Sequence, residues 1–166
     1  EALAAQVTAK LARGTAAPAV APVADLAQAQ VSRVAFASTQ SHLLIGAPGL
    51  ARNDADYFPL LVGNYILGGG GLVSRLSDEV REKRGLSYSV HSYFAPMRER
   101  GPFLMGLQTK NDRRDEAEAV MRRTLTEYIA EGPSDKELAA AKKNLTGGFP
   151  LRIDSNRKLA DYAATI

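Results

Sequence analysis

Two strand-like segments lie a short turn apart between Leu86 and Thr109, and this pair constrains the fold more than any other feature. Leu86–Pro96 reads as one strand. Arg98–Gly101 supplies the turn, and Phe103, Met105 and Leu107 alternate along the second strand. Strands joined this closely form an antiparallel hairpin, because a parallel crossover needs about a dozen residues or more. Helical patterns flank the hairpin on both sides, so strands and helices do not alternate strictly and a doubly wound sheet is excluded. The pattern implies α+β: an antiparallel or mixed sheet with helices packed on one face.

The rest of the chain fits this frame. Glu1–Leu11 is helix-like, and Gly14–Val31 is an Ala-rich stretch with Pro18 and Pro22 that reads as a semi-extended linker. Arg33–Ala47 is strand-like, with Val34 and Phe36 alternating before the run Leu43-Leu44-Ile45. A helix is expected over Ala55–Leu67, N-capped by Asp54 or Asp56, with Phe58, Leu61, Val62, Tyr65 and Ile66 on one face. A second runs over Val73–Lys83, facing Val73, Leu76 and Val80 inward, with Gly85 at its end. After the hairpin come a helix over Arg113–Glu131, a capping box Ser134-Asp-Lys-Glu137 opening the next, and a last helix from near Asp154 whose apolar face includes Leu159, Tyr162 and Ile166. The start at Glu1 and the end at Ile166 inside a helical pattern lead us to expect a piece of a longer protein.

Composition narrows the function classes. Apolar residues are 45% and charged residues 23% of 166, ordinary for a globular domain, so whole-chain disorder and fibrous repeats are excluded. No apolar run reaches the ~18 residues of a membrane helix. With no cysteine there is no disulfide, thiolate zinc site or Cys nucleophile. The net charge of +3 arises from interleaved signs, as in Arg81-Glu82-Lys83-Arg84, which suits a solvated face and not a nucleic-acid surface.

Few residues carry candidate chemistry. His42 and His91 are too few for the usual three zinc ligands, and no His-Glu-x-x-His or inverse occurs. The run Gly68-Gly69-Gly70-Gly71 follows a helix and lacks Gly-Lys-Ser/Thr, so it is no phosphate loop. It is a flexible connection, or a loop beside a substrate groove where missing side chains allow close backbone approach. Gly85-Leu-Ser87-Tyr-Ser89 is not a nucleophile elbow, because residue 89 is Ser. Arg81 and Tyr88 remain, seven residues apart across a Lys-Arg-Gly turn. Either they converge as hydrogen-bond donors on a substrate oxygen, or Arg81 pairs with a nearby Glu and Tyr88 fills the core.

Residues Ile66–Val90, ILGGGGLVSRLSDEVREKRGLSYSV, resemble the signature of the C-terminal module of the insulinase/pitrilysin metallopeptidase family, which includes mitochondrial processing peptidase and small bacterial processing proteases. The stretches STQSHLLIGAPGLARNDADYFPL and GGFPLRIDSNRKLADY are similar to its bacterial branch, so the resemblance spans about Val31–Ile166. It implies two similar α+β modules enclosing a chamber. The first carries His-x-x-Glu-His and a distal Glu on zinc. The second carries an Arg and a Tyr, matching Arg81 and Tyr88, that reach the substrate carbonyl.

On this resemblance residues 1–31 are a helical start and linker, and 32–166 are the substrate-clamp module, incomplete at its C-terminus. Arg81 and Tyr88 are the expected catalytic pair, with Gly68, Gly69, Gly70 and Gly71 as substrate-binding residues. This chain has no zinc motif, so we expect no metal here, zinc in a complementary module or partner subunit, and no activity from this chain alone. The expected partners are that zinc-bearing counterpart and a peptide substrate, and the expected location is periplasmic. The alternative is a scaffold or regulatory subunit that kept the fold without the chemistry.

Overall fold

The computed structural model describes residues 2–12 and 14–165. Glu1 and Ile166, expected in the first and last helices, lie outside the described residues. Helix α1 (Ala2–Thr8) is followed by strand β1 (Gln40–Pro48), and the described residues between them form no helix or strand and stay exposed. Helix α2 (Tyr57–Asn64), the short helix α3 (Arg75–Ser77), and strands β2 (Val90–Phe94) and β3 (Pro102–Lys110) come next. Helices α4 (Arg114–Glu131), α5 (Asp135–Gly147), α6 (Phe149–Arg152) and α7 (Asn156–Thr165) complete the α+β architecture expected from the hairpin.

The sheet has the order β1-β3-β2 and is antiparallel throughout. Leu107 of β3 lies opposite both Leu43 and Val90, and Met105 lies opposite both Ile45 and Ser92. With a side-chain period of two, this register turns one apolar row to the same face. There Val90, Met105 and Leu107 pack with Leu76, Val80 and Leu86 and with Ala117, Val120 and Met121 of α4. His42, Leu44, His91, Tyr93 and Gln108 project from the other face and are exposed.

Between α2 and β2 the helical hydrogen bonding departs from α. Tyr65–Gly69 and Asp78–Glu82 are π-helical turns, closed by bonds from the Gly70 N–H to the Tyr65 carbonyl (2.8 Å) and from the Lys83 N–H to the Asp78 carbonyl (2.9 Å). Gly71, at φ +64°, begins a 3₁₀ turn through Val73 that separates them. Gly85, at φ +58°, closes the second turn.

Several expectations are corrected here. Val34 and Phe36 are 86% and 87% exposed and precede the strand, so their alternation buries nothing. Phe58 is exposed: α2 buries none of its residues, and burial begins in the following π turn at Ile66, Leu67 and Gly68. Val73 lies in the 3₁₀ turn and is exposed, while Leu76 and Val80 are buried as expected. Asp56 makes no side-chain cap; the Asp54 carboxylate instead accepts from the Asp56 N–H at 2.9 Å. The first hairpin strand is Val90–Phe94, shorter than Leu86–Pro96. Helix α6 had no counterpart in the sequence pattern, being a single turn set between Gly148 and Ile153.

Candidate functional site

Arg81 lies in the second π turn and Tyr88 in the bent segment leading to β2. Gly85, with positive φ, turns the chain sharply between them: its N–H donates to the Arg81 carbonyl and the Leu86 N–H to the Val80 carbonyl, both at 2.9 Å. Leu86 then enters the core. Its carbonyl accepts from Thr109 Oγ1 at 2.5 Å. Ser87 is also buried, its Oγ 2.6 Å from the Gln108 carbonyl and 2.7 Å from the Ser89 carbonyl, and it accepts from the Ser89 N–H. With both preceding residues anchored inward, Tyr88 is turned out and is 84% exposed. The core reading of Tyr88 is thereby overturned.

The Arg81 guanidinium carbon sits 4.4 Å from the centroid of the Tyr88 ring. A cation over an aromatic face at this distance contributes about 0.5–1 kcal/mol at an exposed site. Arg81 Nε also lies 3.4 Å from Glu82 Oε1, so the pairing with a nearby Glu and the contact with Tyr88 are both present. The guanidinium and the phenol hydroxyl are hydrogen-bond donors on one surface, which suits an oxygen that accumulates negative charge.

The glycines separate by role. Gly68, Gly69 and Gly71 line a cavity of about 470 Å³ between α2 and β2, together with Asn64, Ser89, His91 and Tyr93 among others. A Cβ on Gly68 would lie 2.5 Å from Ser92 Oγ and 2.7 Å from the Ser92 nitrogen, so this glycine brings the π turn against β2. Gly69 and Gly70 leave room for Asn64 and Tyr65, while Gly71 faces open space. Ser89 carries the cavity rim to within one residue of Tyr88. His42 and His91 are brought to no third ligand. Among the described residues no group of three or more His, Cys, Asp or Glu side chains is placed to hold a metal.

Sequence reasoning missed the residues that hold the site. Asn64 and Ser92 form a two-way link: Asn64 Nδ2 donates to the Ser92 carbonyl (3.1 Å) and Ser92 Oγ donates to Asn64 Oδ1 (2.7 Å). A polar residue in each of two apolar elements was the available signal. Ser87 carried none, since its partner Gln108 lies 21 residues on.

A glycine-bracketed helical turn leads into a hairpin and sets the half-buried Arg81 against the exposed Tyr88 ring, an arrangement that defines an α+β module of the kind the resemblance implies. Comparison makes the assignment specific: the chain belongs to the family described as Peptidase M16 inactive domain, which matches residues 1–145. It is similar to an uncharacterized zinc protease of Streptomyces coelicolor, 34% identical over 133 residues, covering 80% of this chain and 29% of that protein. It is also similar to the non-peptidase homolog YmxG of Helicobacter pylori, 32% identical over 139 residues, covering 81% of this chain and 31% of that protein. Among solved structures, the peptidase M16 inactive domain from Pseudomonas fluorescens superposes with a TM-score of 0.84 at 42% identity, covering 88% of this chain and 35% of that one. The chain thus spans about a third or less of the length of these relatives. No helix among the described residues is long and apolar enough to cross a membrane.

Proposed function

We propose that this chain forms the substrate-clamp half of a zinc endopeptidase chamber, with Arg81 and Tyr88 holding the carbonyl of the peptide to be cleaved. The observation that carries the reading is the stacked pair itself: the Arg81 guanidinium carbon lies 4.4 Å from the centroid of the Tyr88 ring, and Tyr88 is 84% exposed. The Arg81 guanidinium binds the carbonyl oxygen before reaction. The Tyr88 hydroxyl donates to the same oxygen most strongly as it becomes an oxyanion. Zinc, which would supply Lewis-acid polarisation and an activated water, belongs on this reading to a complementary module or partner subunit. Gly68, Gly69 and Gly71 leave space for the peptide backbone in the adjacent cavity, and Gly70 relieves the turn behind it. A periplasmic location is part of the proposal and is tested by cell fractionation.

The test is steady-state cleavage of a fluorogenic peptide by the chain assembled with a zinc-bearing counterpart. Tyr88→Phe should lower kcat by about 10²-fold, the lower end for one oxyanion donor, with KM little changed. Arg81→Ala should change both parameters, and the two losses should be less than additive because both groups serve one oxygen. A kcat for Tyr88→Phe within twofold of wild type, with the fold intact, overturns the reading. It would favour the second one, a scaffold or regulatory subunit, for which the specific observation is the similarity to a relative named a non-peptidase homolog.

A further inference from the structure

Arg81 stands in a cluster of charges of both signs, with Asp78, Glu79 and Glu82 in its own turn. Lys83 and Arg84 follow it in the turn toward Tyr88, and Arg123 of α4 comes within reach of the same turn. Glu82 Oε1 lies 3.4 Å from Arg81 Nε and Asp78 Oδ2 lies 2.8 Å from Lys83 Nζ, both carboxylates being more than half exposed. Glu79, two residues before Arg81, is less exposed and meets three of the four cations. Lys83 Nζ donates to its Oε1 at 2.6 Å and Arg84 Nη1 to its Oε2 at 2.6 Å, while Arg123 Nη2 lies 3.6 Å from Oε2. Arg84 Nη1 also donates to the Glu79 carbonyl at 2.7 Å, so side chain and backbone of one residue close on the same guanidinium. The Glu79 side chain is only 22% exposed, unlike the open pairs along the outer helices. The hydrogen bond from Lys83, then that from Arg84, holds its carboxyl below the ordinary range against the cost of burial.

The geometry ties three elements at one carboxylate. Glu79 is in the first half of the π turn Asp78–Glu82, Lys83 and Arg84 are just past its end, and Arg123 is on α4. A π turn is held by a bond one residue longer than that of the α-helix. A shift to α register would rotate Arg81 about the helix axis, away from Tyr88. Tyr88 is fixed from the other side by Ser87 against Gln108 and by Leu86 against Thr109.

We propose that Glu79 is a positioning residue that locks the π turn across its own end and against α4, so that Arg81 stays stacked on Tyr88. It touches neither residue and acts through Arg84, Lys83 and Arg123. The proposal rests on the clamp reading for its functional consequence but not for its structural one, and two measurements keep these apart.

The first needs no activity. In proton–nitrogen spectra of this chain, the Arg81 Nε–H resonance carries the ring-current shift of Tyr88, and Tyr88→Leu defines its unstacked position. Glu79→Gln should move the resonance to that position while the core amide spectrum is unchanged. Arg84→Met should move it partway, and Arg84→Lys, which keeps a cation for Glu79, should restore it. A wild-type Arg81 resonance in both Glu79→Gln and Arg84→Met overturns the proposal. Should Glu79→Gln fail to fold, the Arg84 pair decides alone. The second measurement is peptide cleavage by the assembled enzyme. Glu79→Gln should lower kcat/KM roughly ten- to a hundredfold, but change nothing in an Arg81→Ala background. An equal loss in both backgrounds overturns action through Arg81. If Arg81→Ala itself leaves cleavage unchanged, the clamp reading falls and the spectra alone decide the positioning.

Discussion

The carboxylate of Glu137 is shared between local and distant demands. As the third residue of α5 it accepts from the Ser134 N–H at 2.8 Å, completing the capping box that the sequence announces. Its two oxygens also take Arg75 Nε at 2.7 Å and Nη2 at 2.8 Å, a bidentate pair 62 residues apart in the chain. Arg75 further lies 4.9 Å over the Tyr128 ring and donates to the Gly132 carbonyl, so α3, α4 and α5 meet on one guanidinium. The Arg75 hydrogen bond is the main reason the Glu137 carboxyl is pulled down to about 2 from its ordinary 4.5. A depressed acid stabilises the fold above its unfolded pKa, and that contribution is lost as pH falls from about 4.5 to about 2. Glu137→Gln should therefore lower stability at neutral pH by about 1 kcal/mol, since the pair is partly exposed. The gap in Tm between wild type and variant should close over that acid range. A gap that persists unchanged at pH 2 would show that the cost comes from altered packing and not from charge.

At the scale of the element, the two π turns and the glycines around them decide where the site lies. Gly68 is a packing glycine and Gly71 a conformational one, and substitution separates the two roles. In Gly68→Ala the new methyl meets the backbone nitrogen of Ser92, which cannot yield as a side chain can. The expected cost is about 1–3 kcal/mol of stability with displacement of β2. Gly71→Ala meets nothing within 4 Å but must hold φ +64°, a cost of about 1–2 kcal/mol with β2 undisturbed. Urea unfolding gives the energies, and the Ser92 and His91 amide shifts tell whether β2 moved; shifts in Gly71→Ala as large as in Gly68→Ala would refute the distinction. The same elements mark what could be read in advance. The hairpin, the capping box and the helix over Arg113–Glu131 were legible because each depends on a period or spacing within its own element. The exposure of Val73 was not, because an inserted 3₁₀ turn breaks the 3.6 period without a local signal. Arg81 and Tyr88 stood out only through the motif around them. Ser87, which anchors the segment before Tyr88, depends on Gln108, far along the chain, while Glu79 combines local partners, Lys83 and Arg84, with the distant Arg123.

For the molecule as a whole, the proposed division of chemistry between modules is the consequence with the widest reach. The described residues contain no cluster of metal ligands; His42 on β1 and His91 on β2 are separated by the intervening strand β3. On the proposed reading two measurements on the isolated chain follow. After dialysis it should retain no stoichiometric zinc, and it should cleave no peptide. Cleavage should appear on titration with a counterpart carrying the zinc motif and saturate at the stoichiometry of the complex. The counterpart alone should retain a fraction of that rate set by the missing donors, lower by about 10²–10³ for one of them. Adding the Arg81→Ala, Tyr88→Phe double variant in place of wild type should restore the assembly, seen as an equal mass in light scattering, without restoring the rate. That combination separates the clamp from the scaffold, because a scaffold rescues activity whether or not its two donors are present. Zinc held by the isolated chain and lost in His42→Ala or His91→Ala would overturn the division itself. The fold would then contain a metal site assembled from strand residues on the open face of the sheet.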